Sequence, residues 1–148
     1  MPDTTHSAPS AAVERLARDW YAALDTHDPV ATLEAMLDPA DLVMVFPEAT
    51  LHGIDAFRDW YATVTGLFFD EVHQVQSVSL TADRGQACDI AVVVRWEASR
   101  WSPPAARSER ICLTAFQSWT VSLTDPDRPR ITRYTVDRLE YLPGSARL

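Results

Sequence analysis

Three long runs of strand-forming residues fill the second half of the chain: "QACDIAVVVRWEASRW" from residue 86, "RSERICLTAFQSWTVSL" from residue 107 and "RPRITRYTVDRLEYL" from residue 128. Only "SPPAA" and "TDPDRP" separate them, and both stretches are rich in turn formers. Segments that long, joined by turns that short, must each fold back antiparallel on the one before. A leading strand, "HQVQSVSLT", alternates around Val75 and Val78 and adds a fourth. The second half is therefore an antiparallel meander, and whatever precedes it has to cover one of its faces.

The meander can be registered from the sequence. Closing the last hairpin around Asp127 sets Trp119 opposite Tyr134 and Gln117 opposite Val136. Ile111, Leu113, Ala115, Trp119 and Val121 then share the core face, while Arg133, Thr135 and Asp137 look the other way. The earlier hairpin is ambiguous. Val92, Val94 and Trp96 favour one phase and the simplest closure around Pro104 favours the other, a conflict that a β-bulge would resolve. That closure puts Cys112 near Trp96 and far from Cys88, so no disulfide between Cys88 and Cys112 is expected.

The first half carries helical periodicity. Val13, Leu16, Ala17, Trp20 and Leu24 form one face of a helix running to about Asp25. A short helix follows over roughly Pro29 to Leu37, with Asp28 as its expected cap and Val30, Leu33 and Leu37 buried. "DLVMVF" reads as a short strand stopped by Pro47, followed by a loop through "PEATLHG". A third helix shows Ile54, Phe57, Trp60 or Tyr61, Val64 and Leu67 on its stripe and ends near Gly66. The pentapeptide "RDWYA" recurs at 18–22 and 58–62, each time in mid-helix with Arg and Asp outward. A duplicated unit would bring its flanking elements with it, and these do not match. Helices on a curved antiparallel sheet make the fold class α+β.

At 148 residues and 47% hydrophobic, the chain is sized for one core. The expected layout is a disordered lead-in over 1–11, one domain over 12–142 and a tail over 143–148. The net charge of −8 argues against nucleic acid and against anionic membranes. All thirteen basic residues are Arg, which removes Schiff-base and P-loop lysine chemistry; the lack of both Lys and Asn hints at a GC-rich bacterial genome. With no signal peptide and no apolar run near the roughly 20 residues of a membrane span, the expected compartment is the cytoplasm, where both thiols stay reduced.

Three stretches carry a family resemblance: "WYAALDTHDP", "LHGIDAFRDWYA" and "RPRITRY", in this order and spacing. Over about residues 12 to 142 the pattern resembles the cone-shaped fold shared by nuclear transport factor 2, ketosteroid isomerase, scytalone dehydratase and the SnoaL-like polyketide cyclases. The resemblance implies a pocket between sheet and helices, lined here by Trp20, Phe46, Trp60, Gln117, Trp119 and Tyr134, with a small apolar molecule as its occupant. It also implies a homodimer through the outer face of the sheet.

The residues that would do chemistry are less decided. Where ketosteroid isomerases hold their base and oxyanion donors, this chain has Phe46, Trp20 and Gln117, so steroid isomerisation is not expected. Glu48, just past Pro47 at the expected pocket mouth, is a candidate base, with His52 as a relay; the bland alternative is a solvated loop. Tyr134 is the candidate hydrogen-bond donor inside the pocket. "RWE" at Arg95 to Glu97, with Asp137 as a second acid, has spacing similar to limonene-epoxide hydrolases, against an exposed cross-strand charge pair as the plain reading. Four scattered His and two Cys show no metal-ligand spacing, and no cofactor is expected. The functions that remain are a cofactor-independent cyclase, isomerase or dehydratase working by acid/base catalysis, a non-catalytic ligand-binding or dimerisation module, and an epoxide hydrolase.

Overall fold

The computed structural model describes residues 7–148. Helix α1 (Ala11–Asp25) starts where the Ser10 side chain accepts from the Val13 backbone N–H, a cap that meets one of the four unpaired donors of a helix start. Its apolar stripe buries Val13, Leu16, Ala17, Trp20 and Leu24 as the spacing requires, and Tyr21 goes in beside Trp20. Helix α2 (Val30–Glu34) is shorter than expected and buries Leu33 alone, although Leu37 beyond its end is also buried. Asp28 does not cap it. The Asp28 carboxylate accepts instead from the Thr26 hydroxyl at 2.6 Å, so the turn after α1 consumes the side chain.

Strand β1 (Val43–Val45) runs through the expected apolar stretch, and the residues read as a loop after it fold into a second short strand, β2 (Thr50–His52). The two form a tight antiparallel ladder with Met44 opposite Leu51. Helix α3 (Gly53–Leu67) follows at once, and Gly53 sits at φ +84°, a conformation strained for any residue with a Cβ. Phe57 and Tyr61 are its buried residues; Trp60 is only half buried and Leu67 is exposed.

The meander is β3 (Phe68–Asp83), β4 (Ala87–Arg100), β5 (Glu109–Ser122) and β6 (Arg130–Tyr141). Strand β3 begins five residues before the "HQVQ" alternation, directly at the end of α3. The sheet order is β2-β1-β6-β5-β4-β3, with β1 added parallel to β6 so that Met44 faces Tyr134 along the ladder. The last hairpin has the expected register, Trp119 opposite Tyr134 and Gln117 opposite Val136. The bulge expected between β4 and β5 is absent. That ladder is unbroken, with Glu97 opposite Cys112 and Trp96 opposite Leu113, because the loop between the strands absorbs the one-residue offset. Register shifts fall instead in β3–β4 and β5–β6, where they bend the sheet around the helices. Cys88 and Cys112 are both free thiols.

The two copies of "RDWYA" sit in α1 and α3 with Arg18, Asp19, Arg58 and Asp59 exposed. Their neighbours differ: α1 leads to a second helix and α3 straight into the longest strand. Of the expected disordered lead-in, residues 1–6 lie outside the described residues; Ser7 forms a β-bridge with Leu80. In the tail, Ser145 Oγ accepts from the Cys112 backbone N–H at 2.8 Å, and the Ala146 N–H donates to Arg110 O at 2.9 Å.

Candidate active site

Along β4 and β5 alternate residues turn inward: Val92, Val94 and Ala98 on one, Leu113, Ala115, Gln117 and Trp119 on the other, all buried. Between this inner face, the end of α1 and the middle of α3 lies a cavity of about 380 Å³. Its wall is largely apolar and includes Phe46, Trp60, Gln117 and Tyr134 among the residues expected there. Phe46 and Trp60 stack at 4.3 Å between ring centroids, forming one flat side. Trp20 and Trp119 are placed differently. Each is 1% exposed and lies behind the wall, Trp20 against Phe57 and Tyr134, Trp119 against Tyr21 and Tyr134. Large rings on the core side of α1 and β5 are taken up by helix–sheet packing before they can reach the hollow.

A hydrogen-bonded cluster ties the wall residues Gln117 and Tyr134 to Tyr21 and Trp119 behind them. The Tyr21 hydroxyl donates to Gln117 Oε1 at 2.7 Å, the Trp119 indole N–H donates to the same oxygen at 3.0 Å, and the Tyr134 hydroxyl lies 3.3 Å from that of Tyr21. With the Tyr21 proton committed to Gln117, Tyr134 is the donor of the third contact. Burial raises the Tyr134 phenol above its ordinary pKa, and burial together with the Tyr134 neighbour raises Tyr21 well above it. Both phenols therefore keep their protons at neutral pH and act as donors.

The titratable groups gather where the end of α1 meets the start of β3. Asp25, in the last turn of α1, grips His73 twice: Oδ1 lies 2.5 Å from Nδ1 and Oδ2 accepts the His73 backbone N–H at 2.9 Å. The imidazole stacks on Tyr21 at 4.9 Å between centroids, with Trp96 at 6.2 Å, and its side chain is 10% exposed. In the neutral imidazole whose Nδ1–H donates to Asp25, Nε2 is an acceptor on a ring that lines the cavity.

A second pair lies beside the first. Glu71 Oε2 is 2.6 Å from His27 Nε2, and Glu71 Oε1 accepts the Trp96 indole N–H at 3.1 Å. Glu71 also lines the cavity. The pairs cross, since α1 and its turn supply an acid and then a histidine while β3 supplies an acid and then a histidine. His27 reaches its partner because it leaves the helix at φ +47°.

The groups expected at the mouth are arranged more loosely. Glu48 lines the rim but is exposed, and its described partner is the Trp60 indole at 3.4 Å. His52 ends β2, is exposed and does not line the cavity. Arg95, Glu97 and Asp137 are on the outer face of the sheet, the first two in a 3.4 Å ion pair and Asp137 accepting from the Ser118 hydroxyl. The Arg95–Glu97 pair runs along one strand rather than across two, Glu97 reaching the next strand through Arg110 at 3.9 Å, and the group is separated from the cavity by the sheet itself. Among the described residues no group of three His, Cys, Asp or Glu side chains is placed to hold a metal ion, and no helix is long and apolar enough to cross a membrane.

Asp25, His27, Glu71 and His73 were not singled out from the sequence. One signal was available: Glu71, His73 and Val75 alternate, so extending the strand back by two residues puts an acid and a histidine on the same inward face as Val75. Their partners had no local signal, being 48 and 44 residues away.

The same architecture occurs in solved structures. A hexachlorocyclohexane dehydrochlorinase, LinA type 2, superposes with a TM-score of 0.74 at 13% identity, covering 93% of this chain and 91% of that one. A nuclear transport factor 2-like superfamily protein from Salmonella enterica serovar Typhimurium gives 0.68 at 14% identity, with 91% and 89% covered. A ketosteroid isomerase-like protein from Erwinia carotovora atroseptica gives 0.66 at 15%, with 89% and 95% covered. No curated protein matches the sequence. At these identities the likeness establishes the nuclear transport factor 2-like α+β fold alone. The family model of the SnoaL-like domain matches residues 17–136, from the middle of α1 to the middle of β6, and the chain belongs to that family.

Proposed function

We propose that the protein is a cofactor-independent enzyme that removes a proton from carbon in an apolar small molecule, with His73 as the base. One observation carries this reading: Asp25 holds both the ring Nδ1 and the backbone N–H of His73, which leaves Nε2 basic and fixed on the wall of an apolar cavity. A histidine oriented in this way is suited to general base catalysis near neutral pH, worth about 10²- to 10⁴-fold. The C–H bond breaks, its proton goes to Nε2, and the electron pair moves into a new carbon–carbon double bond. Either a neighbouring group leaves with its own electron pair, as in elimination, or the charge moves onto a carbonyl oxygen, as in isomerisation or cyclisation. Tyr134 is the donor for that oxygen once its hydroxyl turns from Tyr21 to the ligand. Elimination is the form favoured by the likeness to a dehydrochlorinase.

The reading with Glu48 as base and His52 as relay has less geometric support, because Glu48 is solvated and His52 faces away from the hollow. A purely binding module is disfavoured by two His–carboxylate pairs, of which Glu71 and His73 line a largely apolar cavity. The outer-face charge pair gives no support to epoxide hydrolysis in the cavity. A homodimer through the outer face of the sheet is part of the proposal, and sedimentation equilibrium tests it separately.

The probe for proton abstraction is 2-tetralone in D₂O, with deuterium incorporation at the carbon beside the carbonyl followed by NMR. The wild-type protein should accelerate exchange over buffer, and His73→Gln should lose that acceleration with its circular dichroism unchanged. Equal exchange by both proteins would exclude His73 as the base.

A further inference from the structure

The Glu71 carboxylate is not needed to hold His73, yet it is on the same wall. Residues 71 and 73 are two apart on one strand, so their side chains emerge on the same face with Cα atoms roughly 6.6 Å apart. The Glu71 side chain is 10% exposed, low for a carboxylate. Each of its oxygens has one protein partner, His27 on Oε2 and the Trp96 indole on Oε1. A carboxylate offers about four lone-pair sites. Two are used, and the group lines the cavity with acceptor capacity left over.

We propose that Glu71 is a recognition subsite for a hydroxyl group, and that the ligand is an apolar ring or chain bearing a neutral O–H within reach of the carbon that faces His73. The inference rests on the cavity being the ligand site, as in the function proposed above, and adds the substrate class. A neutral donor fits better than an ammonium. His27 Nε2 already occupies Oε2 at 2.6 Å, and an ammonium there would lose its hydration in a wall made largely of Leu24, Val94, Leu113, Ala115 and Val136. His27 and Trp96 hold the carboxylate from two directions, so the acceptor is oriented before the ligand arrives.

The test is equilibrium dialysis at neutral pH with three probes of one shape: naphthalene, 2-naphthol and 2-naphthylmethylammonium. In the wild type 2-naphthol should bind more tightly than the ammonium. The ratio of naphthalene to 2-naphthol dissociation constants should fall about tenfold in Glu71→Leu, with naphthalene itself little changed. If Glu71→Leu does not fold, Glu71→Gln keeps an acceptor without its charge and should show a smaller fall in the same ratio, about threefold. An unchanged ratio in the variant that folds, or preference for the ammonium, would overturn the proposal. No binding of any probe would overturn it as well, and 2-tetralone exchange reports independently whether His73 still acts as a base.

Discussion

The cavity has two places where a carboxylate and a histidine lie close in the chain, and they behave differently. Near the rim, Glu48 and His52 are four residues apart on a short hairpin, both exposed, the first against the Trp60 indole and the second outside the cavity lining. At the α1–β3 junction, Asp25, His27, Glu71 and His73 come from two elements and pair across the gap, each histidine on the other element's acid. The residue types are the same. The junction differs in having a helix packed against a strand, which leaves the Glu71 and His73 side chains only 10% exposed and fixes one nitrogen of each ring. Proximity in sequence gave the rim a motif; tertiary docking gave the junction two fixed acid–histidine pairs.

The comparison can be broken most easily at His73. His73→Gln should reduce 2-tetralone exchange by about 10³-fold, within the range for a lost general base. Asp25→Asn should reduce it by about 10²-fold, since the ring stays but loses the partner that fixes its tautomer. If Asp25→Asn were as active as wild type, the junction would be an ion pair with no chemical role. Calorimetric unfolding alongside each assay separates lost chemistry from lost fold.

A subtler test uses the two buried phenols. Tyr21 and Tyr134 are raised in the fold above the ordinary value of 10, so above pH 10 the unfolded chain releases protons that the folded chain keeps. Stability is then at its full value below pH 10 and falls as the pH climbs past it. Tyr134→Phe should cost about 1 kcal/mol at pH 7 from the lost hydroxyl contact, and should flatten the decline in urea midpoint between pH 10 and pH 11. A decline as steep as in the wild type would mean that the Tyr134 hydroxyl is not shielded.

The smallest effects belong to the rim. Glu48→Gln and His52→Gln should each leave exchange within about twofold and unfolding within about 0.5 kcal/mol, as expected of solvated side chains. A loss of two orders of magnitude in Glu48→Gln would move the base to the mouth and reverse the comparison.

The meander was legible from the sequence because strand length, turn residues and alternation agree there; Trp119 opposite Tyr134 follows from the position of one turn. The α1 stripe was legible for the same reason. Strand β2 was missed because three residues carry no period, and the ladder that makes them a strand belongs to β1. Trp20 and Trp119 were expected on the cavity wall since facing inward and facing the hollow are indistinguishable in a periodic pattern. The acid–histidine pairs were invisible for a different reason. Each depends on where a helix stops relative to where a strand starts, and a single residue of offset would have paired other side chains.

That dependence has a consequence for the growing polypeptide. A chain emerging from the ribosome can complete α1, α2 and α3 before residue 71 is made, but His73 has nothing to orient it until β3 folds back onto the first helix. The acid–histidine geometry is thus withheld from every half-made copy, and it arrives together with the long-range topology rather than ahead of it.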